Sequence, residues 1–163
     1  MARDPEPAWP RRFVSGLLAK NAKPHEHQHW LVGISCLLLG VPIPFALAND
    51  DRLTGAWLVL VTACSLLADF AYIGSLWNVL DRWVAVSFTV YLTYRAFLRV
   101  PRLTTANLFV VAAMLAYSQC SRTREQWRWR HSLWHAVMMV DITFFLDRIY
   151  SVDAAAMAGI LTA

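Results

Sequence analysis

Five apolar runs of nearly membrane-crossing length recur along this chain, and they constrain its fold more than any other feature. A transmembrane helix needs about 20 consecutive, mostly apolar residues. The runs occupy residues 30–48, 55–73, 82–98, 104–118 and 132–149, and a shorter apolar stretch follows at 154–163. This pattern predicts an all-α fold, a polytopic transmembrane helical bundle of about five spans, in which 154–163 is a partial sixth span or an extension of the fifth.

The composition favours a lipid bilayer over nucleic acid as the partner of this chain. Hydrophobic residues make up 58% of the chain and charged residues only 16%, whereas a soluble domain has about 25% charged residues. Arg alternates with Trp in 122–130, a pattern that can stack nucleic-acid bases in a soluble protein. Because this segment lies between two apolar runs, we interpret it as an interfacial loop that binds lipid headgroups.

The distribution of Lys and Arg predicts the orientation in the membrane. Cytoplasmic loops carry an excess of these residues, and ten of the fifteen fall on the side that holds the N-terminus. We therefore expect a cytoplasmic arm over 1–29 and a transmembrane domain over 30–163. The arm contains a candidate interfacial helix at 11–20. It also contains a His-rich segment, either solvated or able to capture metal, formed by His25, His27 and His29.

Ionisable residues within the apolar runs indicate a metal site. His131 and His135 lie one helical turn apart, and Ser65 and Asp69 have the same spacing, so each pair shares a helix face. In the predicted topology Asp69, His131 and His135 fall at one depth, together with Asp81. A charge within a bilayer is costly unless it is paired, and zinc uses two imidazoles and a carboxylate in catalytic sites. The pattern predicts that Asp69, His131 and His135 bind Zn²⁺.

Asp81 has two interpretations at this stage. At the start of the third run it is a favourable N-cap, and beside a water activated by the metal it is a general base. Asp141 lies deep in the fifth run, and the sequence does not identify its partner. Glycine and proline at positions 40, 42 and 44 predict a kink in the first helix. Three cysteines without metal or redox spacing are predicted to be packed thiols: Cys36, Cys64 and Cys120.

The pattern Ser65-x3-Asp69-x11-Asp81, followed by His131-x3-His135 within HSLWHAV, resembles the CREST superfamily. That group includes the alkaline ceramidases, the progestin and adipoQ receptors and the GPI-anchor lipid-remodelling proteins. The resemblance implies that the two histidines bind zinc, that Asp81 contacts the zinc-bound water as base, and that Ser65 orients the water or stabilises the oxyanion. The chain departs from the family in having Asp69 where the family has a histidine. With about five spans it is a reduced form of a seven-span fold.

These features predict a zinc-dependent intramembrane hydrolase of a lipid amide or ester bond, ceramidase-like in its motif, with Asp81 and Ser65 as the catalytic residues. The alternative is a non-enzymatic membrane receptor or organising protein, in which the same residues hold a structural metal or form a polar network. An open coordination position favours the enzyme, and a closed site with four protein ligands favours the alternative.

Overall fold

The computed structural model describes residues 25–159, so the predicted interfacial helix at 11–20 lies outside the described residues. Every regular element between residues 25 and 159 is helical, which confirms the all-α prediction. The elements are α1 (Trp30–Leu38), α2 (Ile43–Ala48), α3 (Arg52–Leu66), a π-helical turn that continues α3 (Leu67–Ala71), α4 (Leu76–Phe97), α5 (Pro101–Gln119) and α6 (Arg124–Met157).

The first apolar run is divided into two helices, as its glycine and prolines predict. α1 ends at Leu38, a turn through Gly40 follows, and Pro42 precedes the first residue of α2. Proline donates no backbone hydrogen bond and restricts the residue before it, so one straight helix cannot continue through this point. The predicted kink is confirmed. The short α2 packs closely on α3, where a Cβ added to Gly55 would lie 2.8 Å from Leu47.

α4 begins earlier than the apolar run predicts. Its first residue is Leu76, and the N-cap is Ser75, whose hydroxyl accepts a hydrogen bond from the backbone N–H of Trp77 at 3.2 Å. Gly74 precedes it with a φ of 76°, a conformation that glycine adopts without steric cost. Asp81 therefore lies inside α4, and its interpretation as an N-cap is wrong because Ser75 occupies that position.

α6 also begins early, so the interpretation of 122–130 as a loop is wrong for most of its length. The helix begins at Arg124, and the hydroxyl of its N-cap, Thr123, accepts a hydrogen bond from the Gln126 N–H at 3.2 Å. Arg, Glu and Gln are good helix formers, which explains why this polar segment is helical. With 34 residues, α6 is about 51 Å long at a rise of 1.5 Å per residue. At its other end the helix includes the start of the stretch 154–163.

The long helices alternate in direction, so that five helix ends meet at one end of the bundle, which we call the site end. They are the amino ends of α1, α4 and α6 and the carboxyl ends of α3 and α5. Hydrogen bonds made by side chains connect these ends. An apolar core fills the bundle below these ends, and its most deeply buried members include Leu58, Leu146 and Ile149. The alternation places the polar residues of five separate helices close together.

The opposite end is held by a polar cluster that we call the clamp, formed by Asp51, Thr54, Tyr91, Arg95 and Tyr150. Asp51 accepts hydrogen bonds from the Thr54 backbone at 3.1 Å, from the Tyr150 hydroxyl at 3.0 Å and from Arg95. Arg95 also donates to Thr54 Oγ1 at 2.7 Å and to the Tyr91 hydroxyl at 2.9 Å. Burial acts to raise the pKa of Asp51, but Arg95 and the other donors hold that pKa below its ordinary value. The clamp therefore joins α3, α4 and α6.

Two stretches are long and apolar enough to cross a bilayer, Trp30–Ala48 and Arg52–Ala71. Both correspond to predicted spans. α4, α5 and α6 are long enough but carry polar side chains within their lengths, among them Arg95, Asn107 and Asp141. These three helices therefore do not meet the same requirement for apolar composition. The count of five spans therefore stays a prediction.

Candidate metal centre

Asp69 reaches the interior of the bundle from the π-helical turn. Single π-helical turns within α-helices occur frequently at functional sites. The turn is held on two sides: Asn78 of α4 donates to the Ala68 carbonyl at 3.1 Å, and Phe70 packs against α1. Gly33 permits that close packing, because a Cβ at this position would lie 2.9 Å from the Phe70 ring. These contacts hold the π-helical turn in place, so that the Asp69 side chain faces α6.

His131 and His135 meet Asp69 with the same ring nitrogen. Nε2 of His131 lies 2.9 Å from Asp69 Oδ2, and Nε2 of His135 lies 3.7 Å from the same oxygen. The two imidazole rings are in edge-to-face contact with centroids 4.6 Å apart, and Trp127 stacks on His131 one turn before it. The structure brings the three predicted metal ligands together.

Each histidine directs its other ring nitrogen to a serine from a different helix. Nδ1 of His135 lies 2.9 Å from the hydroxyl of Ser35 in α1, and Nδ1 of His131 lies 3.2 Å from the hydroxyl of Ser118 in α5. Metal-binding histidines almost always make such a second hydrogen bond, which orients the ring. Neither serine could be predicted from the sequence, because their contacts join helices that are distant in the chain.

Cys36 is a further potential ligand that the sequence analysis missed. Its thiol lies in a group with a carboxylate oxygen of Asp69 and a ring nitrogen of His135, all within 4.8 Å of one another. The prediction that Cys36 is a packed thiol is right about its burial but incomplete. Its depth in α1 was the available signal, since Cys36 is six residues after Trp30 and α1 begins at the site end.

The spacing of these atoms is compatible with a metal ion. In a tetrahedral zinc site with bonds of about 2.1 Å, neighbouring ligand atoms lie about 3.4 Å apart. The separations from Asp69 Oδ2 to the two histidine nitrogens, 2.9 and 3.7 Å, lie on either side of that value. A thiol, a carboxylate and imidazole nitrogens are all zinc ligands. The group of Cys36, Asp69 and His135 can therefore hold a metal ion, with His131 beside it.

Of the two residues predicted to be catalytic, Ser65 lies at this centre and Asp81 lies near it. The hydroxyl of Ser65 is 3.3 Å from His135 Nε2 and 3.4 Å from Asp69 Oδ2. Asp81 approaches from α4, is partly buried, and interacts electrostatically with Asp69 and His131. Ser65 is therefore in contact with the candidate ligands, and Asp81 is a neighbouring carboxylate.

The His-rich segment lies at the site end and connects α1 to α6. A ring nitrogen of His29 accepts a hydrogen bond from the backbone N–H of Leu31 at 3.1 Å and so caps α1. The His27 ring packs on Trp127 with centroids 5.6 Å apart. The interpretation of His25, His27 and His29 as a solvated segment is only partly right, because all three side chains are partly buried.

Asp141 lies away from the metal centre and finds its partner on α5. Its carboxylate accepts a hydrogen bond from Asn107 at 3.1 Å. Thr143, two residues further along α6, donates to the backbone carbonyl of Met139. Asp141 also borders an open groove of about 410 Å³ along α6, together with Ala136, Val137, Val140 and Phe144. This groove begins one residue beyond His135 and contains none of the candidate ligands.

Comparisons with protein-family models, with curated proteins and with solved structures gave no match to this chain.

Proposed function

We propose that this chain is an integral membrane protein with a zinc centre built from Asp69, His131 and His135. The observation that carries the proposal is the convergence of these three side chains, with Cys36, inside an apolar helical bundle. A carboxylate and two imidazoles are costly to bury without strong partners. A bound cation offsets that cost, because it interacts favourably with every group in the set.

The surface of the bundle supports its insertion in a bilayer as five spans with a cytoplasmic N-terminus. Large apolar side chains are exposed along the middle of the helices, for example Phe109 at 75% and Val90 at 63%. Tryptophans are exposed near the site end, with Trp30 at 64% and Trp129 at 58%, as in the aromatic belt of a membrane interface. In this proposal the site end lies near the inner interface.

The activity that we propose is hydrolysis of an amide or ester bond in a membrane lipid. Zn²⁺ held by the three ligands supplies Lewis-acid activation. Asp81 takes the proton of the attacking water and returns it to the departing amine or alcohol, so that a C–O bond forms as the original bond to the carbonyl carbon breaks. Ser65 donates a hydrogen bond to the oxygen that gains negative charge. The groove along α6 offers an apolar surface for an acyl chain.

The resemblance to the CREST superfamily is part of this proposal. Its motif positions Ser65, Asp69, Asp81, His131 and His135 all lie at the site end. The replacement of a histidine by Asp69 lowers the positive charge of the centre and weakens the metal as a Lewis acid. We therefore expect slower hydrolysis than three histidines would support, and a substrate other than ceramide is compatible with the site.

Cys36 favours a second candidate function. With its thiolate as a fourth protein ligand, the metal would have a closed tetrahedral shell and no open position for water. Such a centre is structural, and the protein would then be a receptor or an organising protein of the membrane. The two functions differ in a measurable property, which is whether Cys36 binds the metal.

The experiment measures metal content and coordination in the purified protein. We expect close to one zinc ion per chain in the wild type and its loss in His135→Ala and in Asp69→Ala. Cobalt replaces zinc in a second preparation, and a thiolate-to-cobalt absorption band that disappears in Cys36→Ser identifies the closed site. Cys64→Ser is the matched control, because Cys64 is also buried but lies outside the ligand group.

Turnover is then assayed with ceramides and other lipid amides and esters in bilayers. Zinc in the wild type without the thiolate band, together with turnover, supports the hydrolase. A wild type that binds no metal would reject the metal centre altogether. Bound metal with the band and no turnover on any of these lipids would favour the structural role.

A further inference from the structure

The hydrogen bonds of Ser35 determine which nitrogen of His135 carries a proton. We infer that Ser35 is a positioning residue, which holds His135 as the tautomer with hydrogen on Nδ1 and keeps the Nε2 lone pair directed at Asp69. Nothing in the motif of the metal centre includes Ser35, because it lies on α1, 100 positions before His135 in the chain. The tautomer of His135 is inferred independently of the proposed function, whereas the effect of Ser35 on metal binding rests on it.

The position of one hydrogen, that of the Ser35 hydroxyl, decides the tautomer of His135. A serine hydroxyl has one hydrogen to donate. Ser35 Oγ lies 2.8 Å from the carbonyl oxygen of Val32, and a carbonyl only accepts, so the hydroxyl hydrogen lies in that bond. Ser35 Oγ also lies 2.9 Å from His135 Nδ1. With its own hydrogen already used, the hydroxyl accepts here, and Nδ1 of His135 is the donor.

The other nitrogen of His135 is then free of hydrogen. A neutral imidazole has one N–H, so Nε2 carries a lone pair. Nε2 faces Asp69 Oδ2 at 3.7 Å and the Ser65 hydroxyl at 3.3 Å. The Ser65 hydroxyl also lies 3.4 Å from Asp69 Oδ2. The 2.8 Å bond from Ser35 to Val32 is much shorter than that contact and fixes the tautomer, so without metal the Ser65 hydrogen is directed to the lone pair. When metal is bound, the lone pair is already in the form and the direction that coordination requires.

Burial makes this arrangement specific. Ser35 is 3% exposed and His135 is 3% exposed, so water does not compete for Nδ1. If the Ser35 hydroxyl is removed, the N–H at Nδ1 loses its acceptor. The other tautomer then becomes favourable, because a hydrogen on Nε2 can be donated to Ser65 Oγ or to Asp69. We therefore expect Ser35→Ala to move the proton from Nδ1 to Nε2.

The control variant is Ser132→Ala. Ser132 is buried like Ser35, at 7% exposed, and lies three residues before His135 on α6. Its hydroxyl has no hydrogen-bond partner within the described part of the chain. The two variants remove the same group from the same region, but only Ser35→Ala removes the acceptor of His135.

The test is nitrogen NMR on metal-free protein labelled with ¹⁵N-histidine, in mildly alkaline solution, where an imidazole of ordinary pKa is neutral. The His135 signals are assigned by their absence in His135→Gln. We expect hydrogen on Nδ1 in the wild type and in Ser132→Ala, and on Nε2 in Ser35→Ala. Hydrogen on Nε2 in the wild type would overturn the inference, and this spectrum is decisive even if Ser35→Ala does not fold.

A second measurement gives the consequence for the metal. Loss of a group that orients a ligand typically weakens metal binding by about 10–100-fold, and we expect a zinc affinity lowered by that factor in Ser35→Ala and unchanged in Ser132→Ala. Zinc binding with an unaltered tautomer and affinity in Ser35→Ala would refute the role of Ser35 and leave the metal centre standing. Hydrogen on Nδ1 in a wild type that binds no zinc would support the inference and reject the proposed function.

Discussion

Asp51→Asn tests the energetics of the clamp at the end of the bundle opposite the metal centre. Asn is as good an N-cap as Asp, so the substitution preserves the cap of α3 and removes only the negative charge. Arg95 then remains as a cation without its ionic partner. The side chains of Asp51 and Arg95 are 12% and 19% exposed, so water reaches the guanidinium only in part.

The magnitude follows from that burial. Removal of one partner from a fully buried ion pair costs about 3–5 kcal/mol. Here Arg95 keeps hydrogen bonds to Thr54 at 2.7 Å and to Tyr91 at 2.9 Å, and a fifth of its side chain is exposed. We therefore expect Asp51→Asn to lower the free energy of unfolding by about 2–3 kcal/mol, below the fully buried range.

The assay is reversible unfolding in mixed detergent micelles, followed by circular dichroism. Asp153→Asn is the matched control, because the pair that Asp153 forms with Arg99 is more exposed, at 34% and 26%. Its loss should cost less than about 1 kcal/mol. The double variant Asp51→Asn with Arg95→Met should recover most of the stability that Asp51→Asn loses. Equal losses in Asp51→Asn and Asp153→Asn, or no recovery in the double variant, would refute the reasoning.

Three further predictions follow from the same structure. Because the pKa of Asp51 is lower in the folded than in the unfolded protein, its stabilising effect should be complete above its unfolded pKa of about 3.9. That effect should fall as the pH drops through the folded pKa, and a pH-independent difference between wild type and Asp51→Asn would contradict this. Asp81→Asn should keep the metal and lower lipid turnover by about 10²–10⁴-fold; undiminished turnover would exclude Asp81 as the base. A tag at the N-terminus should be reached by reagents on the cytoplasmic side and a tag in 49–52 should not, and reversed labelling would reject the proposed orientation.

Local patterns in the sequence predicted the parts of this fold that depend on local physics. The division of the first apolar run depends on Pro42, which cannot continue a hydrogen-bonded helix, and Gly40, Pro42 and Pro44 together predicted the kink. The facing pairs at 65 and 69 and at 131 and 135 depend on helical spacing. For the two pairs to come together, consecutive long helices must also run in opposite directions. The succession of apolar runs predicted that alternation.

The sequence was less informative where a role depends on contact between distant segments. Cys36 has no neighbouring ligand in the chain, so no spacing rule detects it, and only its depth in α1 relates it to Asp69. The apolar run that begins at residue 82 predicts a helix start at Asp81, whereas the N-cap hydrogen bond of Ser75 begins the helix earlier. Ser35 shows the same limit, since its hydroxyl acquires a role only when α1 packs against α6.

The length of α6 makes it a rigid rod between the two ends of the molecule. His135 and Tyr150 are fifteen positions apart on this one helix, which separates them by about 22 Å along its axis. The hydrocarbon core of a bilayer is about 30 Å thick, and a helix longer than that adapts to a thinner membrane by tilting. If α6 crosses the bilayer, its tilt displaces the metal ligands and the Tyr150 contact with Asp51 in opposite lateral directions. Membrane thickness would then act mechanically on both ends of α6, with the metal centre at one end and the clamp at the other, and the hydrogen bonds of the clamp would resist the tilt.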